Sequence, residues 1–170
     1  MKNTIFGTMV LAFAMLLIAG CNSQPHPKEM PRLYPVTITI TQENTPLEGA
    51  SVVLHPQDES MKRWAANGFT DKNGTAVLKT LSRYPGVVPG KCKVVISKIE
   101  RDPSTFVGKP TFDRADEYDQ AELKRKSYRI VDRTFDDVAT TPLEIEIGRE
   151  KKKQSFDVGK PIHEFIPASK

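Results

Sequence analysis

The sequence has few cysteines, few histidines and little excess charge. Its 170 residues include two cysteines, and its 25 basic side chains exceed the 21 acidic ones by only four. A net charge this small and this mixed does not indicate a nucleic-acid partner. The three histidines, His26, His55 and His163, lie far apart and no two have the spacing of metal ligands. We therefore expect solvent-facing histidines and no metal site.

A hydrophobic run long enough for a permanent membrane span is also absent. After Lys2, the chain is almost continuously apolar from Ile5 to Gly20. Sixteen helical residues rise about 24 Å at ~1.5 Å each, less than the ~30 Å hydrocarbon core of a bilayer. One positive charge followed by such a run is typical of a secretory signal peptide. We expect residues 1–20 to be a signal peptide and the mature protein to be exported from the cytoplasm.

The apolar run ends in Leu17-Ile18-Ala19-Gly20-Cys21. This segment resembles a bacterial lipobox, in which a branched apolar residue and two small residues precede an obligatory cysteine. The resemblance implies that Cys21 is the lipid-attachment site, which anchors the mature chain in a membrane of the cell envelope. Two or three acyl chains hold a protein stably, whereas one chain gives only reversible binding. Asn22 favours the outer membrane in a Gram-negative cell, while an ordinary signal peptide with an incidental Cys21 is the other interpretation.

Residues 21–35 contain four prolines, which remove backbone donors and favour extended conformations. We expect this segment to be a tether that holds a domain away from the membrane. If Cys21 is acylated, Cys92 has no intrachain disulfide partner. The stability of the mature chain must then come from a hydrophobic core, which ~150 residues can supply.

From Val36 onward the hydrophobic pattern has a period of two. Val36, Ile38 and Ile40 alternate with threonines, as is typical of a half-buried β-strand. Asn73-Gly74 stands between two strand-like runs and predicts a hairpin. Short strands with frequent turns predict an all-β, antiparallel sandwich over residues 36–158, followed by a tail at 159–170.

Two later segments carry more specific expectations. A strand at Leu143–Ile147 is followed by a basic turn, Arg149–Lys153, after which Gln154–Val158 is predicted to return beside that strand. Between them and the earlier strands, the alternation fails at about 101–130. We expect a long loop insertion there with a short helix at Ala115–Lys126, which offers an i, i+4 Glu–Lys pair. Such a length indicates either an insertion with a role of its own or disorder.

Several motifs follow one another in a recognisable order. They read PLEGASV at Pro46–Val52, GFTDKNGTA at Gly68–Ala76, PGKCKVVISK at Pro89–Lys98, TTPLEIEI at Thr140–Ile147 and SFDV at Ser155–Val158. Together they resemble the carboxypeptidase regulatory-like domain, a transthyretin-like (prealbumin-like) fold. The resemblance implies a seven-stranded, Ig-like antiparallel β-sandwich. Cys92 stands where that family has an aromatic residue, and we expect it to be a buried, unreactive thiol.

The motifs of the enzymes related to this family are missing. The zinc carboxypeptidase activity belongs to a separate domain whose His-x-x-Glu motif is absent, and the isourate hydrolases of this fold end in Tyr-Arg-Gly-Ser, unlike Pro167–Lys170. Asp71-Lys72-Asn73-Gly74 begins like a calcium loop, but Ser82 occupies the position of the last acidic ligand. We therefore predict that the chain is not an enzyme and takes no metal or cofactor.

The resulting prediction is a non-enzymatic, lipid-anchored cell-envelope protein whose sandwich is a binding or structural module, with a protein partner. The candidate contact regions are Trp64, the 101–130 segment and the tail. Trp64 lies beside two basic residues and could stack on a sugar, which makes a carbohydrate-binding module the alternative. A lone tryptophan that covers the end of the sandwich is the competing interpretation. A transthyretin-like small hydrolase is the third hypothesis.

Overall fold

The computed structural model describes residues 27–103 and 126–167. The chain divides into two units, Met1–Met30 and Pro31–Lys170. Of the first unit, only residues 27–30 are described, a turn in which the N–H of Met30 donates to the carbonyl of Pro27 at 3.0 Å. Where the second unit is described, it is built of β-strands and includes the short 3₁₀ helices Lys62–Trp64 and Arg133–Phe135. Across the two described ranges, no helix has the length and apolar character needed to cross a membrane.

The strands are short and follow one another closely. In chain order they are β1 (Val36–Gln42), β2 (Thr45–Pro46), β3 (Ser51–Pro56), β4 (Ala66–Phe69), β5 (Thr75–Val77), β6 (Lys79–Thr80), β7 (Tyr84–Pro85), β8 (Gly90–Ser97), β9 (Ile99–Arg101), β10 (Ser127–Arg129), β11 (Glu144–Ile147), β12 (Lys152–Asp157) and β13 (Glu164–Ile166). The all-β prediction is thus confirmed for the described residues.

The largest sheet is antiparallel and has the order β11-β8-β3-β4-β6-β7. At its centre, β3 and β8 pair from Ser51 opposite Ser97 to Pro56 opposite Cys92. Alternate residues of β3 are buried, as a strand with one face on a core requires. β11 follows the same rule, because Ile145 and Ile147 are buried between exposed glutamates.

The second sheet is built around β1, which pairs with β12 on one edge and with β2 and β5 on the other. β12 is parallel to β1, from Val36 opposite Lys152 to Thr41 opposite Asp157. The prediction that Gln154–Val158 returns beside Leu143–Ile147 is therefore wrong, and the sandwich is not wholly antiparallel. The physical reason is burial, because pairing with β1 brings Phe156 and Val158 against the core.

The Asn73-Gly74 turn also differs from its prediction. β4 pairs with β3 and β6, whereas β5 pairs with β1, so the turn joins two sheets and is not a hairpin. One carboxylate oxygen of Asp71 accepts from the N–H groups of Asn73 and Thr75, each at 2.9 Å, which fixes the crossing. Gly74 has the positive φ that was expected, at 69°.

The two sheets face each other across one hydrophobic core. Its buried members come from both sheets and from the segments that follow β2, β5, β7, β10 and β12; they are Val36, Ile38, Ile40, Leu47, Ala50, Val52, Leu54, Ala66, Ala76, Leu78, Val87, Cys92, Val94, Ile96, Val131, Ile145, Ile147 and Val158. An apolar core of this kind is the main source of stability for a domain without disulfides.

The strand directions define two ends of the sandwich. We call proximal the end where Val36 begins β1, and distal the end where Gln42 finishes it. The short turn after β11 leads into β12, whose Lys152 lies opposite Val36, so β11 ends at the proximal end. Pairing places the start of β8 at the same end, since Ile147 lies opposite Gly90. It places the end of β8 at the distal end, since Ser97 lies opposite Ser51, the first residue of β3.

A third, three-stranded sheet follows at the distal end. It has the order β13-β10-β9, and we call it the tail sheet. β9 begins two residues after β8 ends, and the buried amide of Gln42 at the end of β1 donates to the carbonyl of Ile130 at 3.2 Å. The tail sheet is therefore attached at the end opposite to the one where the chain leads into β1.

Candidate functional site

The tail sheet unites two of the three regions that the sequence marked as candidate contacts. β9 ends at Arg101, where the 101–130 segment begins, β10 lies near the end of that segment, and β13 lies in the region assigned to the tail at 159–170. β10 is central and antiparallel to both neighbours. The N–H of Ile162 donates to the carbonyl of Ile130 at 3.0 Å, which continues the pairing toward the core. The helix expected at 115–126 lies outside the described residues except for Lys126, which is not helical.

One face of the tail sheet carries three aromatic rings, which we call the aromatic face. Tyr128 lies directly opposite Phe165 in the strand register, so both side chains are on this face. The Tyr128 ring stacks on His163 with a centroid distance of 4.1 Å, and the Phe165 ring is tilted against it at 5.9 Å. Phe165 is nevertheless 51% exposed. The three rings form a small aromatic surface partly in contact with water, and aromatic residues are enriched at protein interfaces.

The opposite face of the tail sheet carries ion pairs that attach it to the body. Glu164 accepts two hydrogen bonds from the guanidinium of Arg133, at 3.0 and 2.7 Å. Arg129 is paired with Asp136 and lies 3.5 Å from Glu164, although within the described part of the chain its Nε makes no hydrogen bond. The hydrogen bonds from Arg133 lower the pKa of Glu164 below its ordinary value. These contacts connect β13 to the Arg133–Phe135 helix.

That short helix is itself fixed locally. Asp132 caps it, because its carboxylate accepts from the N–H of Thr134 at 2.8 Å and from the Thr134 hydroxyl at 2.6 Å. Both bonds stabilise the charged carboxylate and lower the pKa of Asp132. A capped helix presents Arg133 to Glu164 in a defined geometry.

Trp64 does not join the tail sheet. It closes the Lys62–Trp64 helix, is only 6% exposed, and has the guanidinium of Arg63 at 4.8 Å from its ring centroid. The helix follows β3, whose last residue Pro56 lies opposite Cys92 near the proximal end. The ring is therefore covered by other segments of the same chain, which is the geometry of a residue that covers the end of the sandwich.

The remaining candidates occupy separate places. His55 is half-buried on β3, where burial lowers its pKa, while His163 is exposed on the aromatic face. Cys92 is fully buried, as predicted, and burial raises the pKa of its thiol to about 11. Cys21 and His26 lie outside the described residues. Within residues 27–103 and 126–167, no three His, Cys, Asp or Glu side chains are placed to hold a metal ion.

The sequence analysis identified the segments that form the tail sheet but did not predict the side chains of its aromatic face. The partners Tyr128 and Phe165 are 37 positions apart in the chain, and each lies in a strand of three residues. Strands this short show too little alternation to be recognised from pattern alone. An available signal was the pair Phe165-Ile166, two adjacent residues of high β propensity in the tail.

Comparison with known proteins gives little information about the family or activity of this chain. No protein-family profile and no curated protein matches the chain. One solved structure that matches is a 9R-lipoxygenase from Cyanothece PCC8801, with 16% identity and a TM-score of 0.27, covering 90% of this chain and 20% of that protein. The matched protein is an enzyme, and the prediction that this chain is not an enzyme is withdrawn. A likeness this weak assigns neither a fold nor an activity.

Proposed function

We propose that the chain is a lipid-anchored protein of the cell envelope that presents its tail sheet to a protein partner. Support for the anchor comes from the sequence, in which a signal-peptide pattern ends in a lipobox-like segment at Cys21. The proline-rich residues 21–35 then serve as a tether. The distal position of the tail sheet supports the second half of the proposal, because a partner would meet it at the end of the sandwich away from the tether.

For the body, we propose a carboxypeptidase regulatory-like sandwich with a seven-stranded, Ig-like core. The support is that three of the motifs coincide with strands of the structure. PLEGASV at 46–52 spans the end of β2 and the start of β3, and PGKCKVVISK at 89–98 spans β8. TTPLEIEI at 140–147 contains β11, which pairs with β8.

The aromatic face is the observation that carries the proposed function. Phe165 is half exposed although Tyr128 and the ion pair of Glu164 hold its strand in place. A fixed aromatic side chain loses little conformational entropy on binding, and aromatic residues are enriched at protein interfaces.

A carbohydrate ligand is the second candidate, because exposed rings also stack on sugars. The geometry favours it less, since His163 covers one face of the Tyr128 ring at 4.1 Å and Phe165 alone of the three rings is a large exposed hydrophobic. If a glycan is the ligand, retention on a glycan array should depend on Phe165 and should fall on Phe165→Ala.

Site-specific crosslinking in living cells tests the proposal. A photoreactive amino acid at position 165 of the full-length chain should form a discrete protein adduct. The same amino acid at Val77, which is 64% exposed on the sandwich, is the matched control and should give none. Tyr128→Ser should weaken the adduct from position 165, because it removes the ring that supports Phe165.

Two results would count against the proposal. Equal yields of protein adduct from positions 165 and 77 would show that proteins contact the chain without preference for the aromatic face. No adduct from position 165, together with glycan retention that Phe165→Ala abolishes, would assign the aromatic face to a sugar ligand instead.

A further inference from the structure

The turn between β11 and β12 concentrates positive charge at the proximal end. This basic turn, Arg149–Lys153, has four basic residues and one acidic residue, Glu150, and all of its side chains except Lys152 are exposed. Within residues 27–103 and 126–167, none of the four basic side chains forms an ion pair. An open groove of about 450 Å³ lies along the turn and reaches Glu146. The charge is therefore available to a ligand outside the chain.

The topology places the basic turn beside the point where the chain leads into the sandwich. Lys152 lies opposite Val36 in the parallel pairing of β12 with β1, and its N–H donates to the carbonyl of Pro35 at 3.0 Å. Pro35 is the last residue of the segment that begins at Cys21. The unpaired positive charge and the chain that leads from the proposed lipid anchor thus meet at the same end.

Charged residues on neighbouring strands and turns increase the difference in charge between the two ends of the sandwich. At the proximal end, exposed Lys79 lies on β6, and Lys91 on β8 lies opposite Glu146 and offsets its charge. At the distal end the turns carry exposed acidic residues, among them Glu43, Glu48 and Asp71. These acidic residues offset exposed distal lysines such as Lys72 and Lys160, so positive charge is less concentrated at the distal end than at the basic turn.

We propose that the basic turn binds the anionic headgroups of the membrane that holds Cys21, and so directs the tail sheet away from that membrane. This inference rests on the proposed function, because the anchor brings the turn close to the bilayer. The fifteen-residue tether could extend about 45 Å and does not orient the domain by itself. Lysine and arginine near an anionic lipid surface are attracted over about one Debye length, ~8 Å at physiological salt. Attraction of this kind gives one end of a flexibly tethered domain a preferred side.

A fluorescent probe at each end of the acylated full chain measures the orientation. Gly148→Cys gives the proximal site, because a side chain there meets no atom within 4 Å. Thr45→Cys gives an exposed distal site. Cys92 does not compete for the label, since it is fully buried. The labelled protein is mixed with vesicles that contain a headgroup-attached quencher, made of phosphatidylcholine alone or with phosphatidylglycerol.

In phosphatidylglycerol vesicles, quenching at position 148 should exceed quenching at position 45 by at least about twofold. The difference should vanish in phosphatidylcholine, at about 1 M salt, where the Debye length is ~3 Å, and in the triple variant Arg149→Gln, Lys151→Gln, Lys153→Gln. The matched control neutralises three exposed distal lysines and should keep the difference; it is Lys72→Gln, Lys126→Gln, Lys160→Gln.

Equal quenching at both positions in phosphatidylglycerol vesicles would overturn the inference, and so would a difference that persists in phosphatidylcholine. Loss of the difference on adding inorganic phosphate at constant ionic strength would assign the turn to a soluble anion instead. A second measurement, vesicle flotation, tests the inference even if the chain is not acylated. If the purified chain carries no acyl group, the proposed anchor is refuted. Flotation of that chain with phosphatidylglycerol vesicles would still support the inference if it requires the basic turn. If the chain does not float with these vesicles, the inference is overturned.

Discussion

Among single residues, Thr70 shows how one buried hydroxyl joins two parts of the chain. It lies just after β4, and its Oγ1 accepts from the N–H of Ala50 at 2.8 Å and donates to the carbonyl of Leu47 at 2.5 Å. Both partners belong to the segment between β2 and β3. The hydroxyl therefore satisfies backbone groups that the core keeps from water.

Thr70→Val removes this hydroxyl with little change in shape. We expect a loss of about 1–3 kcal/mol in the free energy of unfolding, since a buried donor and a buried acceptor are left unsatisfied. Chemical denaturation measures the loss. Thr70→Ser keeps the hydroxyl and is the control; if Thr70→Val were as stable as Thr70→Ser, the two hydrogen bonds would contribute nothing.

Gly74 is the residue on which the crossing between the sheets depends most. Its φ is 69°, and a Cβ at this position would lie 2.4 Å from the carbonyl oxygen of Ile40. Gly74→Ala should therefore cost about 2–5 kcal/mol through backbone strain and overpacking. Gly148→Ala, where a Cβ meets no atom within 4 Å, should change stability by less than about 0.5 kcal/mol. Equal thermal midpoints for the two variants would contradict this account of the crossing.

At the level of elements, the tail sheet depends on an ion pair that titrates in acid. The pKa of Glu164 lies below the ordinary value of 4.5, chiefly because Arg133 donates hydrogen bonds to its carboxylate. A depressed carboxyl pKa stabilises the folded state above the ordinary pKa, and this contribution is lost as the pH falls through the lower, folded value. The attachment of β13 should therefore weaken below about pH 4.5.

Glu164→Gln should remove this pH dependence and loosen β13 at neutral pH. We expect amide hydrogen exchange in β13 to be a few-fold faster, since the pair is largely exposed and contributes modestly. Exchange is measured relative to the intrinsic rate at each pH. Lys160→Gln, which changes an exposed charge on the same tail, is the control. Unchanged protection of residues 164–166 in Glu164→Gln would show that the ion pair does not hold the strand.

The elements also show what the sequence can and cannot predict. Val36, Ile38 and Ile40 are buried as their alternation predicts, because a period of two is a property of the strand itself. The partner of a strand depends instead on distant segments. β12 pairs with β1 because its apolar residues complete a core formed elsewhere in the chain, which local pattern around residues 149–158 does not record. The aromatic face has the same origin, since its rings meet only after β10 and β13 have paired.

For the whole molecule, the two ends of the sandwich would serve different purposes. The proximal end follows the proposed tether and carries the basic turn, and the distal end carries the tail sheet. In this proposal the membrane and the partner occupy opposite ends, so that binding one does not obstruct the other. Such an arrangement requires that the chain be attached through residues before β1.

Attachment should depend on Cys21 and not on Cys92. Cys21→Ser should move the protein from the membrane fraction to the soluble fraction, because it removes the thiol that would be acylated. Cys92→Ala should leave the protein in the membrane fraction, since that thiol is buried in the core. Fractionation followed by immunodetection measures both. Retention of Cys21→Ser in the membrane would contradict a lipid anchor at this residue.

The most direct test of the account is the intact mass of the protein purified from membranes. A chain that begins at Cys21 and carries two or three acyl chains on that residue should be found, which would establish the anchor on which the orientation of the sandwich depends. A chain that retains residues 1–20, or that begins at Cys21 without lipid, would contradict the central claim.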